Sequence, residues 1–131
     1  MYKIEKKPFG YHLQFSGLIK EEEMKKWYEE SLEVLQFPVP GFGVLADLRT
    51  MSVLPPASQS VMEKGQRHYK QKGMVRSVVI LNSAITTMQF RKIGKKSGIY
   101  EWERYIDASS NPDWESKAIK WIENEIDPDK G

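Results

Sequence analysis

The 131 residues contain no cysteine, so the chain forms no disulfide, offers no thiolate nucleophile and cannot build a zinc site on sulfur. Histidine is nearly as scarce. His12 and His68 stand far apart, with no His-x-x-x-His pair and no tight carboxylate cluster, and the pattern leads to no expected metal site. No apolar run approaches the roughly 18 residues a membrane-spanning helix needs, and Met1 to Lys7 put no apolar stretch behind their charges as a signal peptide would. The expectation is a cytoplasmic protein without a membrane span. Glycine forms no phosphate loop, because Gly41-Phe42-Gly43 precedes an apolar run instead of joining a strand to a helix. No cofactor is expected, and no nucleophile stands at a recognisable spacing from either histidine, so no catalytic residue is assigned.

What is present belongs to a folded chain: 40% hydrophobic residues, 29% charged residues and 11% aromatics. The length suits one domain over residues 1–131, with 127–131 read as a frayed tail. The net charge of +2 hides an uneven distribution, because residues 41–104 carry 11 Lys or Arg against 4 Asp or Glu, and both flanks are acidic. Such a segment suits a face that meets an acidic partner, and a solvated helix face carries the same pattern.

Periodicity orders the chain. Tyr2–Lys7 and Tyr11–Gly17 alternate with period two around Pro8-Phe9-Gly10, the pattern of an antiparallel hairpin. From Lys20 to Leu35 the residues Met24, Trp27, Tyr28, Leu32 and Leu35 form the stripe of an amphipathic helix, with three glutamates in its first turn. Phe42–Arg49 is a short apolar run, the mark of a strand covered on both faces. A second helix follows Pro55-Pro56 to about Lys72 with an inward stripe of Ala57, Val61, Gly65 and His68 or Tyr69, and Gly73 ends it. Val75–Leu81 is another buried strand. Asn82-Ser83 caps a third helix from about Ala84 to Ser97, ended by Gly98. Ile99–Asp107 reads as the last strand, with Glu101 and Glu103 outward, and Asn111-Pro112-Asp113 starts a final helix with Trp114, Ala118, Trp121, Ile122 and Ile126 inward. The sum is an α/β domain with a mixed sheet of four to five strands, an N-terminal antiparallel hairpin followed by parallel strands, and about four helices.

That order, with Phe15-Ser16-Gly17 before an amphipathic helix and Val44-Leu45-Ala46-Asp47-Leu48 as the next strand, resembles the STAS fold of anti-sigma-factor antagonists and sulfate-transporter cytoplasmic domains. The strand end Arg104-Tyr105-Ile106-Asp107 before Ala118-Ile119-Lys120-Trp121-Ile122 is similar to a bacterial branch of that fold whose members mostly lack an assigned activity. The resemblance implies a non-enzymatic regulatory or protein-interaction module. It also implies a phosphorylatable serine at the start of the helix after the strand ending at Asp47. The family motif there is Asp-Ser-Ser-Gly, and this chain has Pro55-Pro56-Ala57-Ser58 in its place. Ser58 and Ser60 are the serines left to accept a phosphate.

The expected interaction surface joins Asp47, Ser58 and Ser60 to the basic residues Lys64 and Arg67 of the second helix and Arg91, Lys92, Lys95 and Lys96 of the third. If these helices are neighbours, their charges merge into one patch for a protein partner. No aromatic-basic motif for nucleic acid is visible. The alternative is a carrier or sensor of an apolar or anionic small molecule, with Met51, Met62, Met74, Met88 and Trp102 lining a cavity. Either a monomer or a homodimer fits the sequence.

Overall fold

The computed structural model describes residues 1–130. Strands β1 (Tyr2–Lys7), β2 (Gly10–Gly17), β3 (Gly43–Met51), β4 (Arg76–Leu81) and β5 (Glu103–Asp107) form one sheet in sequential order. β1 pairs with β2 antiparallel, and β2 to β5 pair parallel throughout. Each parallel step needs a crossover, supplied by helices α1 (Glu21–Val34), α2 (Pro56–Gln71) and α3 (Ala84–Ser97), while α4 (Trp114–Asn124) follows the last strand. Right-handed crossovers that advance in one direction place all their helices on one face of the sheet. Accordingly α1 packs on α2 and α2 on α3, and α4 lies against β3, β4 and β5 on the other face.

Two cores result. The larger lies under α1 to α3 and is filled by Leu13, Phe15, Trp27, Val44, Tyr69, Val79 and Phe90 among others; the smaller joins Leu45, Val78, Ile80 and Ile106 to Ala118, Trp121 and Ile122 of α4. The strands β3 and β4 are apolar on both sides because helices cover both sides. Close approach depends on two glycines. A Cβ on Gly65 of α2 would fall 2.3 Å from the Trp27 ring, and one on Gly43 would fall 2.5 Å from Ile122.

The structure departs from the sequence reading in two helix faces, at the start of β5, at both ends of α4 and in the tail; Ile126, expected inward, lies past the end of α4 and is 54% exposed. The inward face of α2 is rotated by one residue to Ser58, Met62, Gly65, Gln66 and Tyr69; Ala57 is exposed. In α1, Leu32 is exposed at 37% and the buried position is Ser31, whose hydroxyl lies 2.8 Å from that of Tyr69. Tyr100–Trp102 is a short 3-10 turn, so β5 starts only at Glu103 and turns that residue inward. Asn111 does not cap α4: its amide donates to the Asp107 carbonyl and the helix begins after Asp113. The tail is also tied down. Asp127 takes two hydrogen bonds from Arg104, at 2.9 and 3.0 Å, and Pro128–Lys130 forms a 3-10 turn; Gly131, the end of the tail read as frayed, lies outside the described residues.

Candidate functional site

The residues expected to form one surface are distributed over both faces of the sheet and its core. Asp47 lies on the α4 face of β3, 5% exposed. Its Oδ1 accepts from the Arg49 backbone N–H (3.1 Å) and Nε (3.0 Å), and its Oδ2 from Nη2 (2.9 Å). Burial pushes its pKa up, but the hydrogen bonds from Arg49 outweigh that and hold it below the usual carboxylate value. Asp47 is therefore a buried anchor for Arg49 and not part of an open surface. The guanidinium it fixes lies 4.3 Å from the centre of the Trp114 ring.

Ser58 is fully buried, and its hydroxyl donates to the Ile19 carbonyl at 2.7 Å. A phosphate there would place about two negative charges where α1 and the β2–α1 connection close on α2. The fold thus removes Ser58 from the set of surface and phosphate-accepting residues. Ser60 is exposed at the rim of a groove between α2 and α3, beside Gln59, Lys92 and Lys96.

α2 and α3 are neighbours, but only Arg67, Lys92 and Lys96 come together at the groove between them, and the other cations turn away. Lys64 turns toward α1 and sits 4.8 Å from the Tyr28 ring centre. Arg91 and Lys95 turn toward the β5 edge, 4.7 Å from the Tyr105 ring and 4.8 Å from the Tyr100 ring respectively. Arg67 pairs with Glu63 at 2.7 Å and donates to the Lys96 carbonyl at 3.0 Å, and Lys70 donates to the Gly98 carbonyl at 3.2 Å. These last two satisfy carbonyls at the C-terminal end of α3, where the helix dipole favours cations. Lys92 and Lys96, one turn apart on the groove side, form no ion pair among the described residues.

Four of the nine large apolar side chains exposed among the described residues lie toward one end of the sheet. Because β2, β3 and β4 run parallel, the loops after them emerge at one end of the sheet, and Ser52 N–H donates to the Gly17 carbonyl there at 2.9 Å. These loops and the first turns of α3 carry Leu18 (52% exposed), Val53 (47%), Ile85 (60%) and Met88 (71%). The Gln89 side chain holds the loop to α3 by accepting from Leu54 N–H (3.0 Å) and donating to the Leu54 carbonyl (3.1 Å). Val53 is thereby kept beside the helix that presents Ile85 and Met88.

The proposed methionine-lined cavity takes a different form. Met51, Met62 and Met74 are buried core residues and Met88 is exposed. The void in the larger core is about 30 Å³, lined by Met62, Met74, Phe90 and others, with Gln66, Ser77 and Glu103 as its polar part. That is room for a water molecule or two and not for an organic ligand.

Sequence reasoning missed Glu103, which the 3-10 turn before it turns into the core at 3% exposure. Ser77 Oγ donates to its Oε2 at 2.7 Å, and Tyr105 Oη lies 2.5 Å from Oε1 and 3.3 Å from the Phe90 carbonyl. Burial raises its pKa to about 7, though both hydrogen bonds favour the ionised form. Tyr105 Oη donates to Glu103 Oε1 and faces the Phe90 carbonyl; once the acid is protonated its O–H donates to Tyr105 instead, and the tyrosine hydroxyl is left for Phe90. One signal existed in the sequence. Gly94 interrupts α3 where a Cβ would fall 2.9 Å from Glu103 Oε1 and 2.7 Å from Tyr105 Oη. The histidines take no part in this network. His68 is half-buried against Tyr28, and burial together with Lys72 lowers its pKa, so it is neutral at physiological pH. His12 lies on the opposite face of the sheet, beside Leu45.

No helix among the described residues is long and apolar enough to cross a membrane. The sequence matches no protein-family model and no curated protein.

Proposed function

We propose that the chain is a non-enzymatic regulatory or protein-interaction module of STAS-like fold, and that it meets an acidic protein partner with the end of the sheet where β2, β3 and β4 stop. The observation that carries this reading is the joint exposure of Val53, Ile85 and Met88 at that end, where Gln89 holds the loop after β3 to α3, with Lys92 and Lys96 following along α3 on the α2–α3 groove. An apolar centre with a charged rim is the composition of a protein-binding patch, and scattered exposure would not carry the same weight. The sequential sheet order, with a leading hairpin and three crossover helices on one face, supports the STAS-like assignment. The buried, hydrogen-bonded Ser58 argues for a module that works without the serine phosphorylation of the resembling family.

The test starts with chemical cross-linking and affinity capture from the cells that make the protein, followed by calorimetric titration of each purified candidate. Ile85→Asp with Met88→Asp removes the apolar centre, and Lys92→Glu with Lys96→Glu reverses the rim. Truncating a central contact of such an interface costs roughly 2 kcal/mol or more, so the first pair should weaken binding by about thirtyfold. Binding that survives both pairs unchanged, with circular dichroism showing intact folds, places the partner elsewhere and sinks the surface.

A further inference from the structure

The α4 face of the sheet is only partly covered. α4 packs on β3, β4 and β5, and the β1–β2 hairpin extends past it, so a step forms where the helix stops and the sheet continues. The step is a groove of about 340 Å³, within the range of roughly 300–1,000 Å³ typical of small-molecule sites. Leu45, 4% exposed, forms its floor, and Phe9 from the hairpin turn and Trp114 and Ile119 from α4 form apolar walls. Trp114 is kept in place by the Arg49 guanidinium stacked on it, itself fixed bidentately by the buried Asp47. A wall held this way is ready to receive a flat ring without reorganising.

The polar groups lie at opposite ends. On the hairpin side are Lys7 and His12, and His12 is flanked across the sheet by Glu5 on β1 and Leu45 on β3. Glu5 is shared by two lysines, Lys3 at 3.0 Å and Lys7 at 3.4 Å, so this end keeps one positive charge in excess. On the helix side Glu115 lines the groove; Arg49 is already paired with Asp47, so this end keeps one negative charge in excess, and a bound anion is directed to the hairpin end.

We propose that this groove binds a small planar aromatic carboxylate, with the ring on Leu45 between Phe9 and Trp114 and the carboxylate accepting from Lys7 and His12. The flat apolar walls select the ring, and the two nitrogen donors at the hairpin end select the anion. This site lies on the face of the sheet opposite α1 to α3, so it stands or falls independently of the partner surface proposed above.

Three indole probes of one shape and different charge test it: indole-3-acetate, neutral indole and tryptamine. Titrated into the isotope-labelled protein and followed by NMR, indole-3-acetate should shift the His12 imidazole and Trp114 indole resonances with a Kd on the order of 1 mM or tighter. It should bind about fivefold more tightly than indole, the scale of one exposed charge pair, and tryptamine should bind most weakly. Lys7→Ala, a substitution outside both cores, should bring the affinity of indole-3-acetate down toward that of indole. Three outcomes overturn the proposal: tryptamine binding as well as the anion, unchanged affinity in both Lys7→Ala and His12→Gln, or no shift at His12 and Trp114 in the presence of millimolar probe.

Discussion

At the scale of single residues, the groups that matter most are those the fold removes from water. Glu103 is the clearest. Its pKa in the folded protein is about 7 against an ordinary value of 4.5, so between these values the native state holds a proton that the unfolded chain has released. The contribution of this group to stability is fully present below the unfolded pKa and falls as pH rises from about 4.5 through 7, by about 3 kcal/mol for a shift of this size. Glu103→Gln keeps an acceptor for Ser77 and supplies a donor to Tyr105 without the charge. Urea unfolding at pH 5 and pH 8 should show that the variant loses this pH dependence and is the more stable protein at pH 8; a wild type equally stable at both values would count against a buried acid. Ser58 makes the complementary case. Ser58→Asp buries a charge against Ile19 and should unfold or severely destabilise the domain, whereas Ser58→Ala, which leaves one carbonyl unpaired, should cost roughly 1–3 kcal/mol by the same measurement. Neither residue announces itself in the sequence. A serine in a first helical turn and a glutamate before a strand are surface residues in most settings, and only the rotation of α2 and the 3-10 turn at Tyr100–Trp102 turn them inward.

At the scale of elements, helix faces are set by what stands opposite them as much as by their own pattern. α1 and α2 meet through Trp27, which stacks on Tyr69 with ring centres 5.8 Å apart and fills the space over Gly65. Gly65→Ala should therefore destabilise the domain by about 1–3 kcal/mol through overpacking, although alanine is the better helix former. A thermal unfolding midpoint at or above that of the wild type would show that Trp27 yields easily. The elements themselves were legible in advance. α3 runs from the Ser83 cap, where Thr86 N–H donates to the serine hydroxyl at 3.1 Å, to Gly98 in the left-handed region at φ 86°, the boundaries its capping residues set. The start of α4 was less so, because Asn111 spends its amide on the Asp107 carbonyl, three residues before the helix begins.

At the scale of the whole molecule, the two faces of the sheet have different tasks. The face under α1 to α3 is filled, and its remaining void of about 30 Å³ leaves no room for an organic ligand. The α4 face is stepped and offers a groove. The end of the sheet presents apolar side chains beside Lys92 and Lys96, so a complex formed there with an acidic partner should weaken as salt is raised, since exposed charges are screened over about 10 Å at 0.1 M. Titration at low and high ionic strength checks this, and a salt-independent affinity would assign the binding to the apolar side chains alone. The sequence by itself determined the α/β class, the leading hairpin, the buried character of β3 and β4 and the positions of the helices, because period, turn residues and caps act over a few neighbours. Only the tertiary structure decided which charges share a surface: Lys64, Arg67, Arg91, Lys92, Lys95 and Lys96 look like one patch when read along the chain, yet the two helices that carry them send those side chains to three different neighbours. The same holds for Asp47, Ser58 and Glu103, whose roles depend on partners 2, 39 and 26 residues away, and most such distances are set by packing and not by local pattern.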